Sequence, residues 1–157
     1  MSISVVYWSG TGNTQAMAEA VAEGIREGGA EAVLMEVGNA DAAALAEEKA
    51  FALGCPSMGA EQLEEAEMEP FVEALEPLVA GKTILLFNEC ESALNGKSIA
   101  LFGSYGWGDG EWMRDWTERM RNAGAVLIRD EGITANDAPD DEALEECRAA
   151  GKELACC

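Results

Sequence analysis

Short apolar runs and helix-spaced apolar stripes alternate along the chain, and this alternation narrows the possible folds more than any other feature. Ile3–Trp8 is a mostly apolar run that ends in Ser-Gly and reads as a buried strand. From Gln15 to Glu27 the residues Met17, Ala20, Val21, Gly24 and Ile25 recur at helical spacing, and Gly28-Gly29 stops the helix. Ala32–Val37 reads as a second strand, Asp41–Glu47 as a short helix and Ala50–Cys55 as a third strand broken by Pro56. Glu69–Val79 carries Phe71, Val72, Leu75, Leu78 and Val79 on one helical face, with Pro77 weakening its end. Ser98–Gly103 reads as a buried strand, Trp112–Ala123 as a helix, Ala125–Thr134 as a strand and Asp140–Leu154 as a closing helix. Repeated strand-then-helix order predicts an α/β fold: a doubly wound parallel sheet with helices on both faces and right-handed crossovers. The length, 157 residues, suits a single domain over 1–157.

One feature interrupts this order. Gly81-Lys82-Thr83-Ile84-Leu85-Leu86-Phe87 is nearly repeated, 15 residues on, as Gly96-Lys97-Ser98-Ile99-Ala100-Leu101-Phe102. Only the second copy leads into a glycine-rich loop, so the first is expected to be an extra edge strand or a surface excursion near 82–96.

Charge and composition exclude several functions. Thirty acids against ten bases give a net charge of −20. Nucleic-acid binding needs clustered Lys and Arg, so it is not expected, and neither is an anionic membrane surface. A basic protein partner would be attracted; alternatively, the charge serves solubility alone. The chain has no histidine, which removes Ser-His-Asp and Cys-His catalysis. The five cysteines, Cys55, Cys90, Cys147, Cys156 and Cys157, form no C-x-x-C pair, and no resident metal is expected. With no signal-peptide pattern at the start, the chain reads as reduced and cytoplasmic.

Ligands of such sheets sit outside the carboxyl ends of the strands, and three unusual segments leave strand ends: 9–14, 55–61 and 104–110. Ser9-Gly10-Thr11-Gly12-Asn13-Thr14 is dense in hydroxyl, amide and backbone donors ahead of a helix, a setting that attracts an anion. It contains no Lys or Arg, so a phosphate there would be held by neutral donors. The bland alternative is a capped strand-to-helix turn. The segment matches neither the P-loop nor the dinucleotide fingerprint. In 104–110, Tyr105 and Trp107 lie between glycines, where a flat ligand would cover Trp107. Trp112 and Trp116, four apart on a helix, read as core; Trp8 reads equally as core or as a ligand shield. Met58 offers a polarizable surface, although a methionine by itself is an ordinary core residue.

These three segments together resemble the flavodoxins. Val6–Thr14 is similar to their phosphate loop, Gly54-Cys55-Pro56-Ser57-Met58-Gly59 to their first flavin loop, and Leu101–Gly110 to their second. The likeness covers nearly the whole chain outside roughly 82–96 and is greatest to the short-chain type of anaerobic bacteria. It implies strand order 2-1-3-4-5, bound FMN and low-potential one-electron transfer. By the same resemblance Ser9, Gly10, Thr11, Gly12, Asn13 and Thr14 would hold the FMN phosphate, and Met58 and Trp107 would flank the ring. Pro56, Ser57, Gly59, Ala60, Ser104, Tyr105, Gly106 and Gly108 would line the pocket, and Glu61 would face flavin N3. The family also implies that the Gly59 carbonyl turns toward flavin N5 on reduction; Ala60 makes that turn harder than glycine would. Pro56 lacks an N–H and offers the phosphate nothing. Acids beside the ring, Glu61, Glu64, Glu65, Glu67 and Asp109, would oppose added negative charge. One unit charge at ~6 Å and an effective dielectric of ~20 amounts to about 3 kcal/mol before screening. Glu65 and Glu69 are expected to be solvated helix-face residues. The expected function is a monomeric, non-enzymatic electron carrier serving basic redox partners. The alternative on the same fold is an FMN-dependent NAD(P)H:quinone or nitro reductase.

Overall fold

The computed structural model describes residues 2–10, 12–57, 63–87, 111–128, 132–135 and 138–157. Five strands form one parallel sheet: β1 (Ser2–Tyr7), β2 (Glu31–Glu36), β3 (Ala50–Gly54), β4 (Thr83–Phe87) and β5 (Val126–Leu127), in spatial order 2-1-3-4-5. The helices are α1 (Asn13–Glu27), α2 (Ala42–Ala46), α3 (Met68–Leu75), α4 (Glu111–Asn122) and α5 (Asp141–Ala155).

Each strand's period-2 alternation sorts its side chains between two cores. Ile3, Val5 and Tyr7 of β1, Ala50 and Ala52 of β3, and Leu85 and Phe87 of β4 pack toward α1 and α5. Val6, Phe51, Leu53, Ile84 and Leu86 pack toward α3 and α4 with Trp112, Trp116, Met113 and Met120. The two tryptophans are therefore core, as their spacing predicts. Ser4, buried at the centre of β1, gives its N–H and hydroxyl to Glu48 at 2.7 and 2.5 Å.

Local chemistry sets the element ends. Asp41 caps α2 by accepting from the Ala43 N–H at 3.2 Å, and Asp140 caps α5 through the Ala143 N–H at 2.8 Å. α3 stops at Leu75 and continues as a single 3-10 turn, Glu76–Leu78, because Pro77 cannot donate into an α-helix.

Two expectations are corrected. The first copy of the near-repeat is neither an edge strand nor an excursion: it is β4, paired on both sides by β3 and β5. Its Ile84, Leu85, Leu86 and Phe87 are all buried, which is the environment an apolar run of that length requires. The second copy, with its expected strand Ser98–Gly103, lies outside the described residues. Among the described residues, the strand expected over Ala125–Thr134 pairs at Val126–Leu127 and again at one bridge, Ile133 with Phe87. The exposed Val126 and the half-buried Leu127 and Ile128 mark an edge, where pairing on one side gives less reason for a long ladder.

Candidate functional site

Three strands end level with one another. Tyr7 of β1 pairs with Gly54 of β3, which pairs with Phe87 of β4. The ladder runs one step further on each side of β3: Trp8 N–H donates to the Gly54 carbonyl at 3.0 Å, and Cys55 N–H to the Phe87 carbonyl at 3.1 Å. The segments beginning at Trp8 and Cys55 thus leave the sheet side by side, where the strand order reverses between β1 and β3. That crevice is the general binding position of doubly wound sheets.

The turn from β1 into α1 is shaped for close approach. Gly12 occupies the cap position at φ 97°, a left-handed conformation that glycine alone adopts without strain. Its N–H donates to Ser9 Oγ at 3.0 Å, closing the turn. Gly10 is exposed, and a Cβ there would come within 3.2 Å of the Trp8 ring. Trp8 is half-buried against the α3–α4 core, the first of the two roles the sequence left open, and it borders the loop. A cavity of about 190 Å³ beside it is lined by Tyr7, Trp8, Ser9, Glu36, Val37, Gly38 and Glu67. That is below the ~300 Å³ of a small-molecule pocket. Burial, with Glu36 and Glu19 adding to it, raises the Tyr7 phenol pKa.

Helix starts distinguish this turn from those that open α2, α3 and α5. α2 and α5 begin under Asp41 and Asp140. α3 begins under Glu64, whose carboxylate accepts from the N–H groups of Ala66, Glu67 and Met68 at 2.8, 2.8 and 3.0 Å. α1 begins on Gly12, which has no side chain. The partial positive charge of its first turn faces the crevice edge without a carboxylate from its cap residue. A phosphate fits that donor set, and an organic cation would not.

Pro56 is buried and Ser57 half-buried directly after β3. Glu64 N–H donates to Cys55 Sγ at 3.4 Å, so the two ends of the 56–63 connection are pinned together. Sequence reasoning missed this fastening: Glu64 was read as one more acid near the ligand, yet it is buried and hydrogen-bonded. The available signal was an acid four residues ahead of the stripe Met68, Phe71, Val72 and Leu75. Burial raises the Glu64 pKa, but the three N–H donors outweigh it and leave the carboxyl below its ordinary value. Glu65 is exposed as expected. Glu69 is not simply solvated, since it pairs with Arg119 at 2.7 Å. Of the expected site residues, Ser9, Gly10, Gly12, Asn13, Thr14, Pro56 and Ser57 lie on the β1 and β3 exits. Thr11, Met58, Gly59, Ala60, Glu61, Ser104, Tyr105, Gly106, Trp107 and Gly108 lie outside the described residues. A larger open groove of about 720 Å³, lined by residues including Glu76, Asp115 and Arg119, involves none of these segments.

Comparison with known proteins agrees with this geometry. The flavodoxin family model matches residues 5–151. The chain is 43% identical to a flavodoxin of Clostridium beijerinckii over 153 residues, covering 98% of this chain and 99% of that one. It is 39% identical to a flavodoxin of Megasphaera elsdenii over 155 residues, covering 98% of each. The solution structure of two-electron reduced Megasphaera elsdenii flavodoxin superposes with a TM-score of 0.78 at 34% identity, covering 99% of both chains. Flavodoxin is itself among the examples behind the switch-point rule used above. The chain belongs to the flavodoxin family and is an FMN-binding electron carrier, not an enzyme.

Proposed function

We propose that Ser9, Gly10, Thr11, Gly12, Asn13 and Thr14 hold the FMN phosphate and that Pro56–Glu61 and Ser104–Gly108 enclose the ring. One observation carries this reading: α2, α3 and α5 start beneath carboxylates of the chain, whereas α1 starts on a left-handed glycine beside the β1–β3 crevice. FMN supplies one-electron chemistry when bound; the residues of the chain bind it, orient it and exclude water. Neutral donors at 9–14 hold a dianion in a chain of net charge −20 without adding a cation beside the flavin. Glu64 and Cys55 fasten the base of the 56–63 connection.

The whole chain, 1–157, acts as one monomeric, cytoplasmic domain that docks basic redox proteins through its acidic field. Among the described residues no helix is long and apolar enough to cross a membrane. Nothing in the comparisons favours the reductase alternative.

Two measurements test this. Trp107→Ala should weaken FMN binding by about 2 kcal/mol in a flavin-fluorescence titration, the scale of one buried aromatic face. Unchanged affinity would remove the ring from the site. Electron transfer to a basic partner should slow as salt rises at constant FMN loading. A salt-independent rate would end the steering argument.

A further inference from the structure

The furrow between α3 and α4 contains none of the segments assigned to FMN, and its lining is chemically particular. Two cavities, of about 310 and 720 Å³, meet at Asp115 and Arg119 and make one continuous channel. Trp112 and Asn122, toward its two ends, stand ten positions apart on α4, about 15 Å at ~1.5 Å per residue. That is the reach of about four or five residues of extended chain at ~3.3 Å each. α4 ends just before β5, which runs parallel to β4, so α4 begins on the edge of the sheet where β1 and β3 exit. The Trp112 end of the furrow lies at that edge.

Five carboxylates and one guanidinium line the channel. The guanidinium is taken by its own chain: Arg119 Nε and Nη2 donate to Glu76 Oε1 at 2.8 and 2.5 Å, and Nη1 donates to Glu69 Oε1 at 2.9 Å. Glu65, Asp115 and Glu118 enter none of the ion pairs formed among the described residues. The channel therefore calls for positive charge, but so would much of the surface of a chain this acidic. Two rings add a second and different demand. Trp112 and Trp116 are each 1% exposed and line the smaller cavity, and their indole N–H groups have no partner among the described residues. An indole N–H can only donate, so each lacks an acceptor.

The two demands together select the occupant. A metal or ammonium ion brings charge but no acceptor, and a small anion brings acceptors but meets the carboxylates. A stretch of peptide carrying Lys or Arg brings carbonyl acceptors and cationic donors at once. We propose that the α3–α4 furrow docks a short basic segment of a redox partner, whose carbonyl oxygens take the indole N–H groups of Trp112 and Trp116 and whose side chains meet Glu65, Asp115 and Glu118. This rests on the reading that the chain's partners are basic proteins, and gives that attraction a place beside the crevice edge.

The test titrates the oxidised, FMN-loaded chain with an octalysine peptide blocked at both ends and follows the indole N–H signals by heteronuclear NMR. The signals of Trp112 and Trp116, each assigned from its Trp→Phe variant, should shift saturably. Glu65→Gln with Asp115→Asn should weaken binding at least about fivefold. Both residues are exposed, and the melting temperature of that variant should match wild type. Glu31→Gln with Glu146→Gln removes two exposed carboxylates from β2 and α5 instead, and should change affinity less than about twofold at physiological salt. Trp116→Phe keeps an aromatic ring and deletes one donor, and should weaken binding about threefold. Equal losses in the two double variants would overturn the furrow and leave only a general attraction to an acidic chain. Unmoved Trp112 and Trp116 signals at saturation would overturn it as well. A wild-type chain that binds no octalysine even at low salt would defeat the furrow together with the acidic-field reading beneath it.

Discussion

The two faces of the sheet are both sealed from water, but by opposite means. On one face, α1 and α5 meet backbone to backbone. A Cβ on Gly24 would collide with the Arg148 carbonyl, and one on Gly151 with the Val21 carbonyl and, at 2.8 Å, the Ile25 nitrogen. The strand residues beneath include Ala50, Ala52 and Gly54, and Ala18, Ala22, Cys147 and Ala150 complete the layer. On the other face the volume is supplied by long side chains: Trp112, Trp116, Met113, Met120, Phe71 and Met68 over Phe51 and Leu53. Arg119 closes that face at its rim, bonded to Glu69 and Glu76. The lesson is one of tolerance. A face built from side chains should suffer most from deletion, and a face built from backbone contact should suffer most from addition.

The largest expected effect tests the first half of that contrast. Trp116→Ala removes one of the largest fully buried side chains and should destabilise by about 4 kcal/mol. The indole N–H of Trp116 has no hydrogen-bond partner among the described residues, and against these the ring is held by packing. Trp116→Phe keeps an aromatic body and discards an unpaired buried donor, and should lose only about 1–2 kcal/mol. Chemical denaturation of the three chains measures both values. Equal losses for Ala and Phe would mean that the indole bonds to something and that the face is not sealed by packing.

Addition on the opposite face comes next. Gly24→Ala inserts one methyl against a backbone carbonyl, which cannot turn aside as a side chain could. The expected loss is about 3 kcal/mol, at the upper end for overpacking. For a chain of this length that is a fall of roughly 6–12 °C in Tm. Elsewhere an exposed Gly→Ala change inside a helix would stabilise by about 1 kcal/mol. A Gly24→Ala protein that melts at or above the wild-type temperature would show that the helices can separate cheaply, and the contrast between the faces would fail.

The same asymmetry explains what could be read before the structure. β1, α1, β3 and α5 were legible because apolar period and terminating residues agreed: Gly28-Gly29 after α1, Pro56 after β3 and Asp140 before α5. Strand order was legible only through the family resemblance, since local pattern says nothing about neighbours. The identity of β4 was misread because two segments carry the same local pattern, and only the buried position of Leu85, a tertiary fact, ranks them. The close contact of α1 with α5 was equally hidden: Gly24 reads as a weak helix residue until α5 is placed against it. At the site, the neutral donor run at 9–14 was plain in the sequence. The Cys55–Glu64 fastening was not, because it joins residues nine apart through a thiol that no motif announces.

The smallest effect concerns how α3 begins on the side-chain-built face. Glu64→Gln keeps one oxygen for three N–H groups that now share two, and places an amide N–H₂ against a donor. At neutral pH the expected loss is about 1 kcal/mol. The pH dependence has a definite sign. Burial raises the Glu64 pKa and the backbone donors lower it further than burial raises it, so the folded value lies below the unfolded one. The carboxylate therefore contributes stability that is fully present above the ordinary glutamate value, about 4.3, and is lost as pH falls through the depressed folded value. The gap in Tm between wild type and Glu64→Gln should be full at pH 7 and shrink progressively below roughly pH 4. Acids common to both chains cancel in that difference. A gap that stays constant into acid would mean that Glu64 acts through its shape and not its charge. α3 would then begin without help from a carboxylate charge, as α1 begins on a glycine cap, and the difference between those two helix starts would no longer mark α1 as the end reserved for a ligand.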